Sequence, residues 1–153
     1  MLGGFELRID GVVMPSLPYD KARALLALLM IEPRAHAREQ LAEMLWPGAP
    51  MEQARANLRR ALFDLRRCLD QGVTWAREPL RADRNTLALD PDAAHWHVDA
   101  LAITQDAGQD ADMLERQAAL YRGPLLAGLL LADAPLFDLW LMGWRERVAN
   151  HML

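Results

Sequence analysis

The segment from Met51 to Leu69 holds the side chains whose types and spacing most clearly indicate chemistry. It is strongly cationic, with five arginines against two carboxylates in a chain whose total charge is −4. Guanidinium groups form paired hydrogen bonds with phosphate oxygens and with the edge of guanine. A local cationic surface on an acidic protein therefore indicates a polyanionic partner. The charged residues are Glu52, Arg55, Arg59, Arg60, Asp64, Arg66 and Arg67.

Apolar residues of the same segment recur at the i, i+3/i+4, i+7 spacing of one helix face. They are Ala54, Leu58, Ala61, Leu62, Leu65 and Leu69. The spacing predicts an amphipathic helix whose apolar stripe faces a core and whose arginines flank and oppose that stripe. Phe63 lies among the arginines, where a purely solvated surface rarely has an aromatic side chain. The alternative interpretation is solubility, because arginine favours helices and its stem covers apolar surface.

The residues before this helix predict a small hairpin and two helices. Alternation over 5–9 and an extended pattern over 12–17 are typical of paired strands. A helix rich in Ala and Leu is expected over 21–31, with Asp20 as its N-cap. A short second helix is expected over 38–46.

The residues after the arginine helix predict a second hairpin and then a helical region. Strands are expected over 80–82 and 86–89, joined by the turn residues Asp83, Arg84 and Asn85. The later segments are a linker over 91–97 and helical patterns over 98–107, 110–121 and 135–151.

This order of elements predicts a mainly α protein with small β-sheets, an α+β fold in two parts. Residues 1–92 are expected to form a winged helix-turn-helix with an N-terminal sheet, and residues 98–153 an all-helical unit. In a winged helix the third helix occupies the major groove of DNA, and the hairpin tip reaches the backbone or the minor groove. On the middle helix of the second unit, Leu114, Ala118 and Tyr121 share one apolar face.

Targeting and redox signals are weak in this sequence. The first residues lack the basic start and the long apolar stretch of a signal peptide, and no apolar run is long enough to cross a membrane. A cytoplasmic location without membrane contact is therefore expected. The single cysteine, Cys68, cannot form an internal disulfide and lies at the edge of the apolar helical stripe. We expect it to be buried and to have no redox role.

Other candidate sites have less specific patterns. His95, His97 and Asp99 are residue types that bind metals, but two nearby histidines without a cysteine are more typical of a linker. The aspartates within 106–112 lack the spacing of a calcium loop and are expected to cap a helix. The sequence has no glycine-rich phosphate loop and no nucleophile with a plausible base partner. We expect a protein that is not an enzyme and that needs neither a metal nor a cofactor.

Seven segments carry a family resemblance when they are taken in order. KARALLALLMIEP, REQLAEMLWPGAP, EQARANLRRALFDLRRCL and DRNTLALDPDA resemble the N-terminal winged helix of the Streptomyces antibiotic regulatory protein class, built like the OmpR-type domain. VDALAI, LERQAALYRGPLLAGL and DAPLFDLWLMGWRERV resemble the start of a bacterial transcriptional activator domain, which is a tetratricopeptide-like helical array. The resemblance implies a transcriptional regulator, in the first place an activator. It would bind double-stranded promoter DNA, contact RNA polymerase and pair as a homodimer on direct repeats.

The resemblance also implies roles for particular residues. On the third helix it implies phosphate or guanine contacts by arginines, a polar base contact by Asn57 and a thymine-methyl contact by Phe63. Arg66 lies nearer the buried stripe, so packing or an ion pair is its expected role. The arginines implied as DNA contacts are Arg55, Arg59, Arg60 and Arg67 on the helix and Arg81 and Arg84 on the hairpin.

The connection between the second and third helices is a candidate contact for RNA polymerase. Pro47, Gly48, Ala49 and Pro50 correspond to the loop that touches polymerase in related winged helices. Pro50 also suits the first turn of the third helix, because its missing N–H costs nothing there.

A second interpretation is a protein-interaction or dimerisation module that has lost DNA binding. Residues 1–92 carry no net charge, and a degenerate winged helix can serve as a protein-binding module. The last helical pattern also concentrates more apolar residues than one exposed helix accommodates. These residues must pack on the preceding helices, on a second copy or on residues outside this chain. Trp140 and Trp144 would form the partner surface.

Overall fold

Helices make up about half of the protein and short strands form small antiparallel sheets, which confirms the α+β class. The computed structural model describes residues 1–9, 11–14, 17–71, 74–75, 77–93, 97–104 and 110–152. In chain order, the elements are β1 (Arg8–Ile9), β2 (Val12–Val13), α1 (Asp20–Ile31), β3 (His36–Ala37), α2 (Arg38–Leu45), α3 (Met51–Leu69), β4 (Leu80–Ala82), β5 (Thr86–Leu89), α4 (Asp99–Ile103), α5 (Ala111–Leu120) and α6 (Pro135–His151).

The larger sheet has three antiparallel strands in the order β3-β5-β4. β4 and β5 form the hairpin that the sequence predicts. The sequence predicts no strand between the helices expected over 21–31 and 38–46, whereas the structure has β3 there, with His36 opposite Leu87 and Ala37 opposite Thr86. A two-residue strand has no periodicity, so tertiary pairing determines it rather than local pattern. As a result, the start of α2 lies beside the tip of the β4–β5 hairpin.

α1 is the most deeply buried helix and contacts α2, α3 and β5. All its side chains from Ala24 to Ile31 are buried. The expected N-cap is wrong, because the helix begins at Asp20 and the extended residue Tyr19 takes the N-cap position without a side-chain hydrogen bond. The Asp20 carboxylate pairs instead with Arg23, one turn along the same helix. The N-terminal hairpin of β1 and β2 is confirmed, but it pairs over only two residues in each strand.

α3 covers the predicted range, and its apolar stripe packs on α1 and α2. All six stripe residues are buried, and so is Cys68. Burying a leucine such as Leu58 or Leu65 contributes about 1.5–3 kcal/mol. Pro50 lies one residue before its expected place, at the N-cap, and its carbonyl accepts a 2.9 Å bond from the Ala54 N–H. The buried stripe fixes the rotation of α3 and holds its arginines on the solvent side.

The predicted second helical unit contains α4, α5 and α6, and α4 contacts the other two. The expected continuation of α4 to residue 107 lies outside the described residues from 105 onwards. Asp110 caps α5 as the sequence predicts, and its Oδ1 accepts from the N–H groups of Asp112 (3.0 Å) and Met113 (3.2 Å).

The apolar face of α5 is turned to solvent. Leu114, Ala118 and Tyr121 are all exposed, and Gln117 is the buried residue of this helix. Its Nε2 donates to the carbonyl of Ala102 at 3.1 Å. A carbonyl in the last turn of a helix lacks an intrahelical partner, so this amide satisfies a group that α4 leaves open.

α6 has the predicted bounds and packs on α2 and α4, with Phe137, Leu141 and Val148 buried. The hydrophobic core is continuous from α1 to α6. The division between residues 92 and 98 stays a prediction, and linker residues 94–96 lie outside the described part. Among the helices that the structure describes, none has both the length and the apolar character needed to cross a bilayer.

The first residues of the chain pair with the segment that precedes α6. Leu2 forms an antiparallel bridge with Leu125, and the Gly3 N–H donates to the carbonyl of Pro124 at 3.1 Å. Gly3 has φ +84, and a Cβ there would lie 2.7 Å from the carbonyl oxygen of Arg122. Both the backbone conformation and the close approach therefore require glycine.

Candidate nucleic-acid interface

The arginine-bearing surface of α3 lies outside the core along the whole helix. Its five arginines are exposed, while the apolar stripe behind them is buried. Because successive helical residues point in different directions, these arginines divide into separate sets. One set lies beside the β4–β5 hairpin and the other faces away from it.

Arg55 and Arg59 line an open cleft of about 690 Å³ between α3, the start of α2 and the tip of the β4–β5 hairpin. Arg38 of α2 and Arg84 of the hairpin line the same cleft. Four guanidinium groups from three elements therefore border one opening, which we call the arginine cleft. Its other lining residues are Ala37, Glu39, Leu58 and Asn85.

Hydrogen bonds within a tight turn hold the tip of the hairpin in place. The Asp83 carboxylate accepts from the backbone N–H groups of Thr86 (2.6 Å) and Asn85 (2.7 Å), and from the Thr86 hydroxyl (2.8 Å). These bonds favour the charged form and hold the pKa of Asp83 below its ordinary value. Arg84 lies within this turn, so its backbone is fixed while its side chain stays exposed.

Arg38 joins the hairpin tip to α2. Its backbone N–H donates to the carbonyl of Asn85 at 2.9 Å, and its Nη1 donates to the carbonyl of Asp83 at 2.9 Å. Sequence reasoning missed Arg38, because only the pairing of β3 with β5 brings the start of α2 to the hairpin. The sequence gives only a weak local indication of this role, because Arg38 is simply an arginine at the start of a short helix.

Glu39 is the one carboxylate among the residues that the structure describes as lining the arginine cleft. Its Oε1 forms an ion pair with Nη2 of Arg55, between the first turn of α2 and the first turns of α3. Within the described residues, Arg59 and Arg84 have no ion-pair partner. The arginine cleft therefore has a net positive charge.

Asn57, Arg60, Phe63 and Arg67 lie outside the arginine cleft. The side chain of Asn57 accepts a 3.0 Å hydrogen bond from the glutamine one turn earlier. The guanidinium carbon of Arg67 lies 5.8 Å from the centre of the Phe63 ring, which is 55% exposed. An exposed aromatic ring beside an arginine forms a flat cationic surface on the outer face of α3.

Asp64 links α3 to the start of α1. Its Oδ2 accepts a 3.2 Å hydrogen bond from the Tyr19 hydroxyl and lies 3.4 Å from Nε of Arg60. Burial and the adjacent Asp64 carboxylate raise the pKa of Tyr19 to about 12. Arg60 is therefore oriented along the helix surface by a carboxylate that also holds α1.

Two more arginines are engaged by carboxylates. Nε of Arg66 lies 3.4 Å from Oε1 of Glu78, so of the two expected roles, packing or an ion pair, the structure has the ion pair. Arg81 pairs with the buried side chain of Asp90. The N–H of Asp92 and the Arg81 guanidinium hold the pKa of Asp90 below its ordinary value. Arg81 is thus held at the base of the hairpin, away from its tip.

The connection between α2 and α3 lies at the end of α2 opposite the arginine cleft. Pro47, Gly48 and Pro50 are exposed, and Ala49 is half-buried. The Ala49 N–H donates to the carbonyl of Trp46 at 3.2 Å, which closes a tight turn. The polymerase contact expected at this turn stays a prediction.

Trp140 and Trp144 of α6 point back to the end of α1. Their Nε1 atoms donate to the same Oε1 of Glu32 at 2.8 and 3.3 Å, and Arg34 donates to its Oε2 at 3.2 Å. We call this arrangement the indole–carboxylate contact. Burial raises the pKa of Glu32, but the indole hydrogen bonds and Arg34 outweigh burial, and the net pKa is lowered. Both indole N–H groups are engaged within the chain, and their role at a partner surface stays a prediction.

Asp99, whose residue type could bind a metal, joins the start of the chain to α4. Its Oδ2 accepts from the N–H of Leu2 and lies near the N-terminal ammonium, both at 2.9 Å. His95 lies outside the described residues. Within the described ranges, no group of three His, Cys, Asp or Glu side chains is arranged to hold a metal.

Comparison with protein-family models gives no match, and comparison with curated proteins gives no significant match. A function for the arginine cleft is therefore derived from its geometry and charge.

Proposed function

We propose that this chain is a transcriptional regulator that binds double-stranded DNA through a winged helix-turn-helix. In this arrangement α2 and α3 form the helix-turn-helix, β4 and β5 form the wing, and β3 completes the sheet. The observation that carries the proposal is the arginine cleft. It brings guanidinium groups of α2, α3 and the hairpin to one opening, with a single carboxylate among its described lining residues.

The dimensions of α3 support a position in the major groove. With 19 residues, the helix is about 28 Å long. Its apolar face is buried against α1 and α2, and its opposite face is free to meet a ligand. The major groove of B-DNA is about 12 Å wide and admits one α-helix. A helix in that position would direct Arg55 and Arg59 to the phosphates on the side of the wing.

The residues of this surface would take different roles. Arg59 and Arg84, which have no ion-pair partner among the described residues, suit phosphate contacts that set register on the duplex. The outer side of α3 suits base edges, since its arginines can pair with guanine and its aromatic ring can contact the thymine methyl group. The residues proposed for base contacts are Asn57, Arg60, Phe63 and Arg67.

The remaining parts of the proposal follow from the family resemblance. The turn over 47–50 would contact RNA polymerase, and recruitment of the polymerase would activate transcription in the cytoplasm. Helices α4 to α6 would be the start of a tetratricopeptide-like array. Two copies would pair on direct repeats of the DNA site.

The test is the salt dependence of binding to duplex DNA, measured by fluorescence anisotropy with the full chain. The probes are a duplex of random sequence and the DNA upstream of the chain's own gene. Binding should weaken with salt, with a log–log slope of about −0.9 per phosphate neutralised. Preference for the upstream fragment would support sequence-specific recognition.

The decisive variant is Arg59→Ala combined with Arg84→Ala. Each guanidinium that contacts a phosphate contributes about 0.9 to the log–log salt slope, so the double variant should bind more weakly and with a slope shallower by about 1.8. Arg66→Ala is the control, since it removes one positive charge from α3 outside the arginine cleft, whereas the double variant removes two. If the double variant and the control lose the same DNA affinity per positive charge removed, a role for the arginine cleft is contradicted. So would the absence of binding by the wild type at low salt.

A protein-interaction module is the second candidate, and the exposed side of α6 favours it. Leu136, Leu139 and Met142 are spaced along one side of this helix and are 47%, 65% and 62% exposed. Leu139→Glu should reduce self-association in light scattering if this surface pairs with a second copy. Trp140→Glu is less informative, because Trp140 donates to Glu32 and its loss would disturb the fold.

A further inference from the structure

The arginine cleft contains its own anion. Glu39 lies in the first turn of α2 and forms an ion pair with Arg55 across the opening. Both side chains are accessible, with 67% of Glu39 and 47% of Arg55 exposed. A carboxylate at this place presents to Arg55 the same fork of two oxygens that a phosphate diester presents.

We propose that Glu39 acts as an internal competitor for the phosphate at Arg55 and thereby lowers the affinity of the arginine cleft for DNA. This inference rests on the proposed DNA binding. In the free protein, Glu39 occupies the guanidinium of Arg55. On binding, a phosphate must displace the carboxylate, which then takes up a cation from solution. Glu39 is thus a residue that sets affinity and salt dependence without contacting a base.

The position of Glu39 makes this role specific. The other carboxylate near the start of α3, Glu52, borders a neighbouring groove with Arg55 and Arg59 rather than the arginine cleft. On α2, Glu43 lies one turn after Glu39, is exposed, and does not line the arginine cleft. Three acidic residues therefore lie close in sequence, and one of them lines the described cleft and engages its arginine.

The experiment compares Glu39→Gln with Glu43→Gln in the full chain. Both substitutions change the net charge by the same amount, but only the first one frees Arg55. Because an exposed ion pair competes weakly, Glu39→Gln should tighten binding to random duplex DNA by about two- to five-fold. The salt slope should become steeper by less than the roughly 0.9 of one phosphate contact, since a lone carboxylate on a protein attracts cations more weakly than the DNA backbone does. Glu43→Gln should bind like the wild type.

A second pair of variants tests whether Glu39 acts through Arg55. In an Arg55→Gln background, Glu39→Gln should no longer increase the affinity for DNA, because the guanidinium for which carboxylate and phosphate compete is absent. A gain that persists in this background, or an equal gain in Glu43→Gln, would overturn the inference and indicate general repulsion. Weaker binding of Glu39→Gln to the preferred site would also overturn it and would indicate a base contact by the carboxylate.

The outcome separates this inference from the proposed function. If the wild type binds DNA and Glu39→Gln binds with the same affinity and slope, the inference fails and DNA binding stands. If neither protein binds any duplex at low salt, both fail together. The melting temperature of each variant should stay within a few degrees of that of the wild type, because Glu39 and Glu43 are exposed.

Discussion

The arginine cleft and the indole–carboxylate contact use charge in opposite ways. At the indole–carboxylate contact, Glu32 receives hydrogen bonds from Trp140, Trp144 and Arg34 and joins α1 to α6. In the arginine cleft, four guanidinium groups border one opening with a single carboxylate in the described lining. Charge that is satisfied inside the chain holds elements together, whereas charge left at an opening is available to a ligand. The comparison distinguishes a structural use of charge from a binding use.

The same division occurs on the two faces of α3, and it predicts the largest effect. Leu65→Ala removes a fully buried side chain and should lower the free energy of unfolding by about 2–5 kcal/mol. Arg59→Ala, on the exposed face, should leave the melting temperature nearly unchanged. Urea unfolding of the two variants measures the difference. Similar losses of stability would show that Arg59 has a structural role.

The indole–carboxylate contact predicts the next largest effect. Replacing Trp140 and Trp144 together by Phe leaves a smaller aromatic ring at each position and removes both N–H donors to Glu32. The free energy of unfolding should fall by about 1–3 kcal/mol, because the half-buried Glu32 carboxylate keeps Arg34 but loses both indole donors. DNA affinity should stay within two-fold of the wild type by anisotropy.

The single variants of this pair provide the control. Trp140→Phe should cost more stability than Trp144→Phe, since its hydrogen bond to Glu32 is shorter. A large loss of DNA affinity in a variant with unchanged stability would contradict the structural role of this contact, because it would assign a binding role to the indoles.

The hairpin tip predicts a smaller effect that falls on binding. Asp83→Ala removes the acceptor of two backbone N–H groups and one hydroxyl, so the tip that carries Arg84 becomes less ordered. DNA affinity should weaken several-fold. Asp83→Asn keeps an Oδ1 acceptor and removes a negative charge, so it should bind at least as well as the wild type. Weaker binding by Asp83→Asn than by Asp83→Ala in anisotropy titrations would contradict this role of the turn.

The smallest expected effect is the pH dependence of the indole–carboxylate contact. The pKa of Glu32 is lowered from its ordinary 4.5. Its contribution to stability is therefore complete above that ordinary value and is lost as pH falls through the lower pKa of the folded state. Calorimetry from pH 7 downwards should show that wild type and Glu32→Gln differ in melting temperature at neutral pH and converge in acid. A constant difference across this range would rule out ionised Glu32 as the stabilising group.

Periodicity in the sequence predicted the long helices well, for a physical reason. α3 has the expected range because its apolar residues repeat over several turns and match one buried face. α6 also has the expected range, although its apolar residues are divided between a buried side and an exposed side. Within α3, the same pattern placed Leu58 and Leu65 inside and the arginines outside. Arg55, Arg59 and Arg84 were expected as site residues, and the fold brings them to one cleft.

Contacts between distant segments could not be predicted in this way. Arg38 and Glu39 join the arginine cleft because β3 pairs with β5, and a two-residue strand leaves no pattern in the sequence. The apolar face of α5 follows from its spacing, but the sequence does not show that this face is exposed and that Gln117, which bonds to α4, is the buried residue instead. Likewise, no local pattern marks Glu32, because its two indole partners lie more than 100 residues away in α6.

The indole–carboxylate contact also gives the protein an optical property. Indole fluorescence depends on the charges and hydrogen bonds around the ring, and two of the five tryptophans share one carboxylate. The difference between the emission spectra of the wild type and the Trp140→Phe, Trp144→Phe variant isolates the fluorescence of these two tryptophans. That difference spectrum reports, without an added label, whether α6 keeps its contact with the end of α1 when DNA or another protein binds.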